Sequence, residues 1–170
     1  MDRSRLVALQ APIKERYRLA PAAARMTLRA AGRLDAEDVV CSVETGRALI
    51  EAGLHPATGG SGLHACSGDM LLQALVACAG VTLRSVATSL ELNVRGSVRA
   101  EGDLDFRGTL GVDKEAPVGF QAIRLFFDLE TDATEEQVAT LIRLTERYCV
   151  VYQTVSGGVK VTVSTARAPA

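Results

Sequence analysis

The four cysteines of this 170-residue chain, at positions 41, 66, 78 and 149, are the side chains best suited to chemistry. No two of them have C-x-x-C spacing, which disfavours a zinc ribbon and a thioredoxin-like motif. The first 25 residues lack a continuous apolar stretch before a cleavage site, so we expect a cytoplasmic protein in a reducing compartment. There, separated cysteines are either buried small side chains or redox-active thiols.

Other motifs are weaker. The loop Gly59-Gly60-Ser61-Gly62 lacks the Lys-Ser/Thr pair of a phosphate-binding loop. His55 and His64 lie nine positions apart without a carboxylate arrangement of the metalloenzyme type, so we expect both to make polar loop contacts. The sequence therefore predicts neither a metal site nor a bound cofactor.

Composition narrows the class of partner. With 19 basic and 20 acidic side chains and 4% aromatic residues, the chain lacks the basic surplus and stacking platforms that nucleic-acid binding needs. Residues 70–86 form the longest apolar stretch, but polar residues interrupt it, so we do not expect a membrane span. The length suits one domain, which we place at residues 25–170. Residues 1–24, interrupted by Pro12 and Pro21, are predicted to be a partly ordered extension that packs on a partner subunit.

The periodicities predict an α+β fold. Alternating runs indicate strands at residues 26–29, 39–43, 48–50, 94–101, 123–129 and 159–163. The first three suggest an antiparallel meander with turns near residues 32–38 and 45–46, and we expect 94–101 to pair with 123–129. Residues 69–90 are apolar on nearly all sides, which predicts a buried helix capped by Ser67. Thr134 and Gln137 have the spacing of a capping box before an amphipathic helix that ends near Cys149.

Three segments together resemble the OsmC/Ohr family, the osmotically inducible and organic hydroperoxide resistance proteins. They are Met70-Leu71-Leu72-Gln73-Ala74-Leu75-Val76-Ala77-Cys78 after an acidic residue, Ile123-Arg124-Leu125, and Tyr148-Cys149-Val150. The resemblance runs from about Thr27 to Val163. It implies an intertwined homodimer, in which antiparallel sheets wrap around long buried central helices, and a thiol peroxidase in the antioxidant, oxidative stress response.

By this resemblance Cys78 is the peroxidatic cysteine and Cys149 the resolving one. The thiolate is the attacking species, and a cysteine with a pKa of about 8.5 is little ionised at neutral pH, so Cys78 needs activation. The resemblance assigns this to a hairpin arginine, for which Arg33 is the candidate and Arg29 and Arg47 are alternatives. Asp69 is the candidate carboxylate that holds it.

The resemblance further implies organic, lipid-type hydroperoxides as substrates and a dithiol reductant, such as a lipoylated protein. Two positions differ from the family pattern. Ser67-Gly68 stands where the family commonly has Pro-Glu, and Val150 stands where many members have Pro. We expect Cys41 to pack in a strand and Cys66 to be a loop residue, about 18 Å from Cys78 along the helix.

Two alternatives remain at this stage. A hot-dog-type thioesterase also wraps an antiparallel sheet around a long helix, and it would be indifferent to the loss of both cysteines. A non-catalytic OsmC-like protein that binds a small apolar ligand would keep its thiols when challenged with peroxide.

Overall fold

The computed structural model describes residues 2–20, 31–34, 40–44, 49–111 and 113–166. Within these ranges the chain forms one four-stranded sheet, one two-stranded sheet and five helices, so the fold class is α+β as predicted. The boundary predicted at residues 24 and 25 and the predicted strand at 26–29 lie outside the described residues.

The N-terminal segment contains a helix, α1 (Arg3–Leu19). Asp2 caps its start, because its carboxylate accepts the backbone N–H of Arg5 at 2.8 Å. The helix continues through Pro12. Arg3 also lies 3.2 Å from the carboxylate of Glu91, so α1 rests on the end of the long helix of its own chain.

The first sheet consists of β1 (Ala31–Leu34), β2 (Val40–Glu44), β3 (Leu49–Gly53) and β4 (Ala65–Cys66). The first three strands are antiparallel, as predicted, whereas the short β4 pairs with β3 in parallel. The first predicted turn is displaced: Gly32 and Arg33 lie inside β1, where Arg33 is opposite Ser42. The connecting residues 35–39 and 45–48 lie outside the described residues.

Helix α2 (Ser67–Ser89) follows β4 directly. Cys66, and not the predicted Ser67, occupies its N-cap position and makes no side-chain cap bond there. Four residues at i+4 spacing are buried along one stripe: Leu75, Ala79, Leu83 and Ala87. The expectation of a helix buried on most faces is wrong for the single chain, because only one side of α2 is covered.

By length and composition alone α2 is long and apolar enough to cross a membrane, a property that it shares with the core helices of soluble proteins. In this chain, however, the helix packs against β5 and against three further helices, α1, α4 and α5. Only 22% of its apolar window is buried within the chain. The uncovered remainder is therefore apolar surface without a partner in the described part of the chain.

The second sheet pairs β5 (Val94–Asp103) with β6 (Ala122–Thr131) in antiparallel register over ten residues, as predicted. A short helix, α3 (Phe106–Thr109), lies in the connection. Helix α4 (Glu135–Tyr148) begins with the predicted capping box. Thr134 accepts the N–H of Gln137, and the Gln137 side chain accepts the N–H of Thr134 at 2.8 Å.

The chain after α4 departs from the prediction. A helix, α5 (Val150–Gly157), follows Cys149, and residues 158–166 form neither helix nor strand. The predicted strand at 159–163 is therefore wrong for the single chain. A strand needs a hydrogen-bonded neighbour, and no strand of the described part of this chain offers one there.

The core lies where α2, α4 and β5 meet. Leu83, Ala87, Val94 and Leu141 form its buried centre. We expect Leu141→Ala to lower the free energy of unfolding by roughly 2–5 kcal/mol, because it leaves a cavity where no solvent reaches. Urea unfolding followed by circular dichroism measures the loss. The matched control, Leu110→Ala at an exposed position, should cost less than about 0.5 kcal/mol; equal losses would contradict this core.

Candidate active site

The structure brings together two cysteines that lie 71 positions apart in the sequence. Cys78 is in the middle of α2 and half-buried, and Cys149 lies at the junction of α4 and α5 and is fully buried, with 0% exposure. The two thiols are near enough that each shifts the pKa of the other. Both thiols are free, so the structure corresponds to the reduced state of the pair.

A break between two helices fixes Cys149. Its backbone N–H donates to Thr145 O at 2.9 Å and ends α4. Its own backbone is extended, with φ −76° and ψ 110°, so the chain turns before α5 begins at Val150. The Cys149 sulfur then accepts the backbone N–H of Tyr152 at 3.5 Å and caps α5. One residue thus ends one helix and starts the next, with its thiol directed at α2.

The surroundings of Cys78 favour its thiolate. Burial raises the pKa of Cys78, but hydrogen bonds outweigh it. They come from the Val151 N–H, the Cys149 thiol, the Val150 N–H and the Thr82 hydroxyl, and together they hold the pKa of Cys78 below its ordinary value. Each of these groups donates to the sulfur, and donation stabilises the charged form.

The pKa of Cys149 is shifted in the opposite direction, above its ordinary value. Burial is the largest cause that raises the pKa of Cys149, and the neighbouring Cys78 sulfur raises it further; the Tyr152 and Val151 N–H groups only partly oppose this. The two thiols of the pair therefore ionise in order. Cys78 loses its proton first, while Cys149 stays protonated and donates a hydrogen bond to it.

The other predicted site residues lie elsewhere. Asp69 is exposed in the first turn of α2, nine residues and about 13.5 Å of helix rise from Cys78. Arg33 lies in β1, at the far edge of the four-stranded sheet, and its side chain is outside what the structure describes. Arg29 and Arg47 are outside the described residues.

The remaining cysteines and histidines are peripheral. Cys66 is half-buried at the start of α2, and Cys41 lies in β2 opposite Leu34 and Ala52. His55 caps a 3-10 turn through its Nδ1, which accepts the Ala57 N–H at 3.0 Å. His64 Nδ1 lies 3.6 Å from a Glu51 carboxylate oxygen. Both histidines thus make polar contacts, as predicted.

Sequence reasoning missed three groups around Cys78. Thr82 was detectable, because it follows Cys78 by four positions on a helix and so shares its face. The amides of Val150 and Val151 carried no signal, because main-chain donors do not depend on side-chain type and α5 was not predicted.

A mostly apolar cavity of about 680 Å³ lies between α2, β6, α4 and α5, and neither Cys78 nor Cys149 is among its lining residues. Leu75, three residues before Cys78, lines it, and so does Tyr152, whose amide contacts the Cys149 sulfur. The rest of the wall is formed mainly by β6, by the residues just before it, and by helices α4 and α5. It includes Phe120, Ile123, Phe127, Ile142 and Val155. Such a wall suits an organic group rather than a fully polar one.

Comparison with known proteins agrees with this architecture. A model of the family described as OsmC-like protein matches residues 59–164, which is more than half of the chain. The chain belongs to the OsmC-like protein family. No curated protein sequence matches the chain significantly.

Solved structures of this family share the fold. An OsmC-like protein from Mycoplasma pneumoniae is 17% identical with a TM-score of 0.64, over 78% of this chain and 89% of that one. A protein from Legionella pneumophila, named organic hydroperoxide resistance protein OsmC, is 17% identical with a TM-score of 0.59, over 79% and 92%. An OsmC-like protein of unknown function from Vibrio cholerae is 15% identical with a TM-score of 0.58, over 76% and 94%.

These findings exclude one of the earlier alternatives, the hot-dog-type thioesterase. The fold is OsmC-like, so the hot-dog architecture is set aside. OsmC-like proteins are typically soluble, and α2 corresponds to the core helix of their fold. At 15–17% identity these solved structures establish the fold alone.

The opposite pKa shifts predict unequal reactivity. In the native protein we expect iodoacetamide to modify Cys78 several-fold faster than Cys149 at neutral pH, because Cys78 forms its thiolate at lower pH and is also accessible. The Cys78 rate should rise with pH through its lowered pKa and then level off. Peptide mass spectrometry at timed intervals measures both rates, and in urea the difference should disappear. Equal native rates would contradict the assigned order of ionisation.

Proposed function

We propose that this chain is a peroxiredoxin-like organic hydroperoxide reductase, acting through a Cys78 sulfenic acid and a Cys78–Cys149 disulfide. The observation that carries the proposal is the contact between a thiol with lowered pKa and a buried thiol with raised pKa. The first suits attack on a peroxide, and the second suits capture of the product. The name of the Legionella relative supports the same activity.

The chemistry proceeds in two steps. The Cys78 thiolate attacks the terminal oxygen of the hydroperoxide; the S–O bond forms as the O–O bond breaks, and the departing alkoxide takes a proton to give the alcohol. Cys149 then attacks the sulfur of the Cys78 sulfenic acid, forming the S–S bond, and its proton leaves with the hydroxyl group as water. Cys78 is oxidised, the peroxide is reduced, and the disulfide stores the two oxidising equivalents.

The mostly apolar cavity supports an organic substrate. Leu75, three residues before Cys78, and Tyr152, whose amide contacts the Cys149 sulfur, both line it, so we propose that it holds the alkyl or acyl chain of a hydroperoxide that reacts at Cys78. Hydrogen peroxide has no group to fill this space. We therefore propose organic, lipid-type hydroperoxides as the preferred substrates.

Turnover needs a dithiol to reduce the disulfide, and we propose a small dithiol such as a lipoyl group on a partner protein. This cycle operates in a reducing compartment, which favours the cytoplasm. Arg33 remains the proposed cation for the site. Because Asp69 is distant from Cys78, it would act only through Arg33, as a positioning residue.

A homodimer is also proposed, because the single chain leaves two apolar surfaces uncovered. One is the open side of α2, which includes the exposed Val81. The other is the segment at residues 158–166, in which Val159, Val161 and Val163 are 63%, 79% and 88% exposed and alternate with polar residues. Alternation of this kind is typical of a strand with one covered face, so we propose that a second copy covers it.

Thiol titration tests the activity. After one equivalent of cumene hydroperoxide, the wild type should lose two thiols per chain, counted in denaturant with Ellman's reagent. Cys78→Ser should lose none, because the attacking thiolate is gone. Cys149→Ser should accumulate a Cys78 sulfenic acid that dimedone traps.

Cys66→Ser is the matched control and should behave as the wild type, because Cys66 lies at the start of α2, away from the pair. Hydrogen peroxide at the same concentration should react at least tenfold more slowly. A faster reaction with hydrogen peroxide would contradict the substrate class. Retention of all thiols with both oxidants would contradict the peroxidase and favour a non-catalytic ligand-binding protein.

Light scattering after size exclusion tests the dimer. We expect the wild type to run at twice the 18.0 kDa of one chain. Val161→Glu should raise the dimer dissociation constant by about tenfold or more, because it places a charge on the covered face of the strand. Thr162→Glu, on the opposite face, should not. A wild type that runs as a monomer would contradict the dimer.

A further inference from the structure

A second cavity, of about 380 Å³, lies next to the mostly apolar one, at the start of α2. On α2, Leu71 lines the first cavity and its neighbour Leu72 lines the second. On the sheet, Ile123 of β6 lines the first cavity, and the β5 residue paired with it, Gly102, lines the second. The two cavities therefore adjoin each other between the same helix and the same pair of strands.

Among the described residues, Phe120 is the one that lines both cavities. It lies just before β6, and its side chain is half-buried. The next residue ties this segment to the end of β5, because the Gln121 N–H donates to Asp103 O at 2.9 Å. The Phe120 ring is thus the group that stands between the two spaces.

Two glycines make room for the Phe120 ring. A β-carbon at Gly102 would lie 2.6 Å from Cδ1 of the ring, which is closer than side-chain atoms pack. Gly102 is not among the glycines with positive φ, so the ring, and not the backbone conformation, requires glycine there. A β-carbon at Gly68, in the first turn of α2, would lie 3.5 Å from Cζ of the same ring. The ring is therefore lodged between β5 and the start of α2.

The mostly apolar cavity follows α2 from the turn next to Cys78 towards Phe120. Leu71, Leu75 and Cys78 are spaced by four and three residues, so they lie on one face of the helix. The two leucines line the cavity. Gly68, which contacts the Phe120 ring, precedes Cys78 by ten residues, or about 15 Å of helix rise. A chain that runs along this face from Cys78 would meet Phe120 at its far end.

We propose that Phe120 is the end wall of the substrate cavity and sets the longest alkyl chain that the cavity holds. Without the ring, the cavity would open into the second one, where Leu72, Leu104 and Phe106 offer further apolar contacts. Phe120 is thus a specificity-determining residue with no part in the bond-breaking steps. The identity of the substrate rests on the proposed function, whereas the length of the space beside α2 can be measured by binding alone.

Phe120→Ala and Val118→Ala form the test pair, because Val118 belongs to the same connection, is 63% exposed and lines neither cavity. Two quantities are measured for straight butyl, hexyl, octyl, decyl and dodecyl chains: kcat/KM for the alkyl hydroperoxides, and the Kd of the corresponding alcohols by titration calorimetry. In the wild type both should improve as each added methylene is buried, and then level off when the chain reaches Phe120.

In Phe120→Ala the improvement should continue to the longest chain. We expect the dodecyl compounds to gain at least threefold over the wild type, while the butyl compounds change little, because a short chain does not reach the ring. Val118→Ala should follow the wild type at every length. Far-ultraviolet circular dichroism compares the folding of the three proteins.

Superimposable length profiles for the wild type and Phe120→Ala would overturn the proposal. An equal change at every chain length would overturn it too, because a general loosening of the loop has that effect. So would a failure of every alcohol to bind to either protein. If Phe120→Ala does not fold, Phe120→Leu is measured instead, with the same direction expected and an unchanged profile as the contrary result.

The two measurements separate this proposal from the peroxidase. Alcohol binding that depends on Phe120 as expected, in a protein that consumes no hydroperoxide, would contradict the peroxidase and leave the end wall established. Hydroperoxide consumption with one length profile for the wild type and Phe120→Ala would support the peroxidase and overturn the end wall.

Discussion

The break between α4 and α5 at Cys149 is the constraint on which the site depends. If the helix continued, the amides of Val150 and Val151 would hydrogen-bond to carbonyls of α4. Because Cys149 is extended, α4 ends there, a new helix begins at Val150, and the Cys149 sulfur caps that helix by accepting the Tyr152 N–H. Gln153 reinforces the corner, since its side chain donates to Glu146 O at 2.9 Å.

In this arrangement the two cysteines lie in different environments, and each environment shifts the thiol pKa in a different direction. Although burial raises it, hydrogen bonding holds the pKa of Cys78 below its ordinary value, whereas burial raises the pKa of Cys149, which is fully buried. An identical side chain is thereby made nucleophilic at one position and kept protonated at the other. The uncovered side of α2 runs past the same site, so a second copy on that face would also limit access to Cys78.

Much of the framework could be predicted because its signals are local. Period-two alternation identified β5 and β6, and the Thr134–Gln137 spacing identified the start of α4. Two predictions were wrong for the segment after Cys149: the helix α5 was missed, and a strand was expected at residues 159–163. The residues of α5 include three valines, a tyrosine and a threonine, which favour strands, and only packing on α2 makes them helical. Val159, Val161 and Val163 alternate as a strand must, but pairing is a property of two strands and cannot be read from one.

The site was predictable only in part. The pairing of Cys78 with Cys149 followed from family resemblance, and spacing alone gave no reason to join them. Sequence reasoning sought a cation for Cys78, because charged side chains are visible in a sequence whereas amides are not. In the described part of the chain the groups that lower the pKa of Cys78 are uncharged, and Asp69 at the start of α2 lies well away from it.

The complete burial of Cys149 also affects how an oxidised pair would be opened. An incoming thiolate must attack one of the two sulfurs and expel the other, and expulsion is faster for the sulfur with the lower pKa. That preference favours attack on Cys149 with Cys78 departing, but Cys149 is inaccessible, so only the slower exchange at Cys78 is open. The sulfur that a reductant can reach, that of Cys78, is therefore not the one whose attack would expel the better leaving group. The oxidised form would resist bulky monothiols and yield to a slender dithiol, whose second sulfur completes the exchange before the first can be expelled.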